Sequence, residues 1–199
     1  MLHRLVLLFL LCLAAPAFAQ GGTVRVALET GEGRITVALE VERAPVTAAN
    51  FLRYVDERRL DGAAFYRAMR LGETSGLVQG GADHRRRLPP IAHEPTARTG
   101  LSHVDGAVAM ARGAPGSADA DFFIIVGDAM TGLDGGPASG GDQLGFAVFG
   151  RVVEGMATVR RILAAPTSPT EGEGAMRGQM LGPRIAIVSA RRVEGDSGE

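Results

Sequence analysis

The chain has 199 residues, 46% of them apolar, and a formal net charge of −1. That is enough apolar material for one domain with a real core, and it argues against a disordered chain or a basic nucleic-acid-binding surface. Its basic side chains are all arginine and its only cysteine is Cys12, which excludes phosphate loops and Schiff-base chemistry that need a lysine.

Met1 to Ala19 read as a secretory leader: Arg4 near the start, an apolar run from Leu5 to Leu13, and Ala17-Phe18-Ala19 as a small-x-small cleavage site before Gln20. The run is too short for the roughly 20 residues of a membrane span and ends at Pro16. Cleavage removes Cys12, so the mature protein has no disulfide, thiolate metal site or cysteine nucleophile. The expected organisation is a signal peptide over 1–19 and one domain over 20–199, its core spanning about 23–193.

Two alternating runs, Thr23 to Leu28 and Arg34 to Glu40, flank a glycine-containing link and predict an opening β-hairpin. Pro45 followed by Val46, Ala49, Leu52 and Val55 predicts an amphipathic helix from Ala44 to about Arg59. Short apolar pieces at Ala64 to Met69, Leu77 to Gln79 and Ala107 to Ala111 read as strands, separated by a solvated loop over Gly81 to Leu101. Phe122 to Val126 reads as a buried strand with a charge, Asp121, at its mouth, and period-two alternation puts Asp121 and Phe123 on one face. A glycine-rich loop over Asp128 to Gly145, a strand over Phe146 to Val153, a helix over Gly155 to Ala165 and a strand over Arg184 to Val193 complete the chain, with Glu194 to Glu199 as a loose tail. Many short strands and two separated helices predict a mainly β fold, an antiparallel sheet or barrel with helices as covers.

The histidines left after cleavage, His84, His93 and His103, fall in the loop-rich middle without metal-pair spacing. They read as exposed loop residues rather than catalysts, although Ser102 and Asp105 stand near His103. Gly31-Glu32-Gly33 does not continue into a dinucleotide fingerprint, and Asp119 and Asp121 lack the further ligands of a calcium loop.

Six blocks remain: Phe65-Tyr66-Arg67, Gln79-Gly80-Gly81, Ala109-Met110-Ala111-Arg112, Asp121-Phe122-Phe123-Ile124, Leu133-Asp134-Gly135 and Phe146-Ala147-Val148-Phe149-Gly150. In content and order they resemble the cyclophilin family of peptidyl-prolyl isomerases. Ala44-Pro45-Val46 with Asn50-Phe51, and Gly150 to Met156, resemble its bacterial secreted members. The resemblance spans Thr23 to about Val193. It implies a closed eight-stranded antiparallel β-barrel capped by two α-helices, and rotation about X-Pro bonds, whose barrier is about 18–20 kcal/mol.

That reaction needs no nucleophile and no cofactor, only an apolar pocket for the proline ring and a donor that weakens the amide resonance. On this resemblance Arg67 is the donor and Gln79 holds it. Phe123, Leu77, Leu133, Phe146 and Phe65 match the apolar surroundings, and Ala111, Arg112 and Gly113 match the segment that pairs with the peptide backbone. The sequence also departs from the family pattern: Asp121 stands in place of glutamine, Gly76 and Gly132 in place of aromatics, and Tyr66 in place of the histidine before Arg67. If Asp121 lay within about 4 Å of Arg67, the ion pair would compete for the guanidinium.

Three readings follow. One is an isomerase of the periplasm or secreted space, monomeric and free of the membrane after cleavage, acting on proline-containing segments of exported proteins. The second is a binding module of the same fold with little turnover. The third, a barrel holding a small ligand inside, is opposed by the bulky residues at inward strand positions.

Overall fold

The computed structural model describes residues 24–128, 130–137 and 142–194; the leader over 1–19 lies outside the described residues, as do residues 195–199 of the tail. The strands are β1 (Val24–Thr30), β2 (Gly33–Leu39), β3 (Ala63–Leu71), β4 (Ser75–Gly81), β5 (Ala107–Met110), β6 (Phe122–Val126), β7 (Ala147–Glu154), β8 (Thr167–Ser168) and β9 (Met180–Val193). The helices are α1 (Pro45–Asp56), α2 (Thr96–Thr99) and α3 (Met156–Ala164). Pairing runs antiparallel in the order β1-β2-β7-β5-β6-β4-β3-β9, and β9 returns to β1, so eight strands close a barrel. The two-residue β8 is an addition to β9. Closure leaves no long strand edge unpaired.

The opening hairpin shows why the sequence folds this way. Val26, Leu28, Ile35, Val37 and Leu39 recur at every second position of their strands, and all five are almost completely buried inside the barrel. α1 packs on β7 and β9, while α3 packs on β2, β3 and β4. The barrel is filled, not hollow: Phe51, Phe65, Phe122 and Phe149 meet at its centre, with ring centroids 5.2–5.8 Å apart.

α1 has no side-chain cap of its own at Ala44. The carboxylate of Glu94, 2% exposed, reaches over from the long loop instead. It accepts from the amides of Val46 (3.2 Å) and Thr47 (2.7 Å) and from the Thr47 hydroxyl (2.6 Å). An anion there satisfies orphan donors and complements the helix dipole.

A second apolar cluster lies on the outside of the barrel. Along β6 the alternation divides cleanly: Phe122, Ile124 and Val126 point into the barrel, while Phe123 and Ile125 join Leu77, Ala107, Ala109, Met130 and Val148 on the outer face. A buried cluster outside a closed barrel makes that face the place to look for a site.

Candidate active site

The outer face of β3 and β4 carries the chemistry because β3 contains a bulge. Phe65 pairs with Gly80 and Arg67 with Gln79, so Tyr66 is an extra residue on β3. The bulge inverts the alternation. Phe65 and Ala68 face the barrel core, and Tyr66, Arg67 and Met69 face outward.

Arg67 is held on two sides by neutral groups. Its Nη1 donates to Gln79 Oε1 (2.9 Å), its Nε donates to Gln179 Oε1 (2.8 Å), and Nη2 lies 3.7 Å from the Met69 sulfur. Gln79 Nε2 donates in turn to the Tyr66 hydroxyl at 2.7 Å, which orients the amide so that its oxygen faces Arg67. Burial pulls the Arg67 guanidinium below its usual pKa, with the Tyr66 phenol opposing. Among the described residues no carboxylate pairs with Arg67. A half-buried cation without an acidic partner is costly, and such groups concentrate at functional sites.

Arg67 and Gln79 border an apolar cavity of about 200 Å³ whose walls include Leu77, Phe123, Met130, Leu133 and Phe146. Phe123 is 3% exposed; its ring stands edge-on to Phe146 (centroids 5.4 Å, 86°). Behind it lies the ring of His103, stacked at 5.8 Å and 13°. Met69 and Met176 complete the rim. A cavity of this size with a fixed guanidinium, free of any carboxylate among the described residues, at its edge fits a small apolar ring whose adjoining amide meets that guanidinium.

The cyclophilin type peptidyl-prolyl cis-trans isomerase family model matches residues 25–183. The chain belongs to the cyclophilin family. It is 36% identical over 159 residues to peptidyl-prolyl cis-trans isomerase A of Dickeya dadantii, covering 77% of this chain and 78% of that one. It is 38% identical over 154 residues to peptidyl-prolyl cis-trans isomerase cyp18 of Streptomyces antibioticus, covering 74% and 87%. Its fold matches the crystal structure of a cyclophilin type isomerase of Cryptosporidium parvum with a TM-score of 0.66 at 16% identity, over 87% of this chain and 99% of that one. A second crystal structure of the Cryptosporidium protein, in the presence of the dipeptide Ala-Pro, gives the same TM-score.

In this cyclophilin the structure brings together Arg67, Gln79, Leu77, Phe123, Leu133, Phe146, Ala111 and Arg112 around one cavity. It separates three residues from that group. Phe65 is fully buried inside the barrel, because the bulge puts it on the face opposite Arg67. Gly113 stands outside the cavity wall, its amide donating to Ser117 Oγ at 3.0 Å. Asp121 lines a neighbouring cleft of about 330 Å³ with Tyr66 and Arg184.

The Asp121–Arg67 ion pair is not formed. Asp121 precedes the regular strand, and its Oδ2 accepts from Arg87 Nη2 at 2.8 Å, while Arg87 Nη1 bonds Asp119 at 2.7 Å. Burial raises the Asp121 pKa in spite of Arg87, and Oδ1 has no hydrogen-bond partner among the described residues. Gly81 makes room for this carboxylate, since a Cβ there would lie 2.1 Å from Oδ1.

Arg112 does not project toward a peptide. Its side chain, 5% exposed, donates to both oxygens of Asp142 (2.7 and 2.9 Å) and to the Gly145 carbonyl, and lies 5.2 Å from the Phe146 ring centroid. It fastens the glycine-rich loop to the cavity rim and holds the Asp142 carboxyl down at about 2.

The expectation that all three histidines are exposed fails at His103, which has no accessible surface. Its Nδ1 lies 2.6 Å from Asp134 Oδ1, and burial pushes its pKa below the ordinary value. Ser102 also bonds Asp134, not the imidazole, so no nucleophile–base pair is formed. His84 is exposed and His93 half-buried.

The missing aromatics have a structural counterpart. A Cβ on Gly76, whose φ is +153°, would lie 2.1 Å from the Met69 carbonyl oxygen, and methionines 69, 130 and 176 line the cavity instead. Gly132 faces open space. Gln179 and Met176 were invisible to sequence reasoning, because they belong to a stretch with neither periodicity nor a matching block.

Proposed function

We propose that this cyclophilin isomerises X-Pro bonds in exported proteins, with Arg67 as its catalytic residue. The proline ring enters the cavity between Phe123, Leu77, Met130 and Phe146, leaving the X-Pro amide at the rim beside Arg67. As the bond twists, the nitrogen loses conjugation and gains a lone pair, and a guanidinium N–H aimed at it stabilises the twisted state more than the planar one. The chain's own groups do the rest: Gln79 orients the guanidinium, and the apolar walls exclude water that would screen it.

One observation carries the reading. Among the described residues Arg67 keeps an unquenched charge beside an apolar cavity, tethered by amides and a thioether. The competing binding-module reading drew on the loss of pocket aromatics and on Asp121 drawing this charge away; methionines 69, 130 and 176 line the cavity, and Asp121 is engaged by Arg87. Action on exported proteins is supported by the leader pattern of Met1 to Ala19.

The test is line-shape exchange of an Ala-Pro peptide with the protein beginning at Gln20. Catalysed exchange above the solvent rate is expected, and none would overturn the enzyme reading. Expression of the full chain with its leader, followed by mass measurement of the exported product, tests the location: a product beginning at Gln20 is expected, and intact chain retained in the cytoplasm would refute it.

A further inference from the structure

The second tether on Arg67 comes from a stretch that lies outside the six blocks carrying the family resemblance. Between β8 and β9 the chain makes a compact excursion over residues 169–179, closed by its own bonds: Gly178 N donates to the Glu171 carbonyl at 2.9 Å, Met176 N to Glu173 at 3.0 Å, and Gln179 N to Met176 at 3.0 Å. The excursion is anchored at the site, since Ala68 N, one residue beyond Arg67, donates to the Gln179 carbonyl at 2.9 Å.

The Gln179 side chain has only one orientation compatible with its neighbours. Its Nε2 donates to the Ala175 carbonyl at 2.8 Å, so Oε1 must face outward, where it accepts from Arg67 Nε at 2.8 Å. A turned amide would set two acceptors against each other at Ala175 and two donors against each other at Arg67. Met176, from the same excursion, lines the cavity next to Arg67.

We infer that Gln179 is a positioning residue for Arg67, and that the excursion carrying it, with Met176, is a working wall of the active site. The inference rests on the isomerase reading above. Five N–H donors leave a guanidinium in a fixed planar fork. Gln179 takes Nε and Gln79 takes one Nη1 hydrogen, which fixes the plane about two strong bonds; among the described residues Nη2 meets only the weak acceptor of the Met69 sulfur, and one hydrogen on each terminal nitrogen is left for the substrate. With only Gln79 and that weak thioether contact the guanidinium could pivot about a single strong bond. A neutral acceptor suits this role because it fixes the fork without cancelling its charge.

The experiment is Gln179→Leu in the protein beginning at Gln20, read in two ways. In Ala-Pro exchange kcat is expected to fall about ten-fold with KM nearly unchanged, as expected for loss of orientation rather than of the pocket. In a nitrogen–proton correlation spectrum the bond to Gln179 is expected to make the wild-type Arg67 Nε–Hε signal slow to exchange, and the variant is expected to lose that protection. Gln179→Glu keeps an acceptor opposite Nε and is expected to keep the signal.

Wild-type turnover matched by Gln179→Leu overturns this inference alone, whereas absence of wild-type turnover overturns the isomerase reading along with it. Should Gln179→Leu fail to fold, the wild-type spectrum decides, since an Arg67 Nε–Hε signal in fast exchange there removes the tether.

Discussion

Replacing Asp121 by Gln separates the role of this carboxylate from that of Arg67. In the structure Asp121 bonds Arg87, and side-chain exposures of 20% and 30% place the pair at the edge of the interior. The substitution removes one charge-assisted bond, worth about 1.5–3 kcal/mol. It also relieves the desolvation of a carboxylate whose Oδ1 is buried without a partner, and Asp119 keeps Arg87 paired. The two effects oppose, and the net stability change is expected within about 1 kcal/mol, a shift of roughly 2–4 °C in Tm for a domain of this size.

The pH dependence is more telling than the mean. Burial raises the folded pKa of Asp121 above its unfolded value, so the fold favours the protonated acid. Its contribution is complete below the unfolded pKa and is lost as pH rises through the folded one. The stability of wild type relative to Asp121→Gln is therefore expected to decline as pH rises across that window, followed by urea titration at several pH values. Turnover of an Ala-Pro peptide is expected to stay within about two-fold of wild type, because Arg67 has other partners. A rise of about ten-fold or more, an effect of about 1.4 kcal/mol on the barrier, would refute the reasoning and restore an Asp121–Arg67 pair.

Two further outcomes follow from buried groups. Glu94→Ala is expected to cost about 3 kcal/mol, since it strips the amides of Val46 and Thr47 of their acceptor at the start of α1; a loss below about 0.5 kcal/mol in urea unfolding would contradict the tertiary cap. Burial lowers the pKa of His103, and its Nε2 has no hydrogen-bond partner among the described residues. A depressed folded pKa means stability present above the unfolded value of about 6.5 and lost as pH falls from there through the folded value. His103→Asn is expected to flatten the decline of Tm in that range, and an unchanged slope would show that His103 does not titrate with unfolding.

What the sequence disclosed and what it hid divide along physical lines. Alternation in β1 and β2, the apolar run of β6 and the proline start of α1 are local signals, and they placed the barrel core, the β6 strand and the helix within a few residues. Antiparallel barrel closure was implied by family resemblance, since nothing local specifies that β9 returns to β1. Phe65 was placed in the site by its neighbourhood to Arg67 in the resembling block, and the bulge at Tyr66 turns it to the opposite face. The partner of Asp121 depended on the path of a loop that brings Arg87 back across 34 positions of sequence. Glu94, His103 and Gln179 share this property: each acts through a contact fixed by loop geometry, to which residue spacing is blind.

In the proposed mechanism an unquenched, doubly tethered Arg67 drives the isomerisation, and Arg67→Ala removes that group. Ala-Pro exchange rates would be compared for the wild-type and variant proteins, each shown folded by its amide spectrum. The expected result is a fall in kcat/KM of about 10²–10³-fold, the scale of losing one preorganised electrostatic donor. A folded Arg67→Ala protein that turns over the peptide at the wild-type rate would contradict the account.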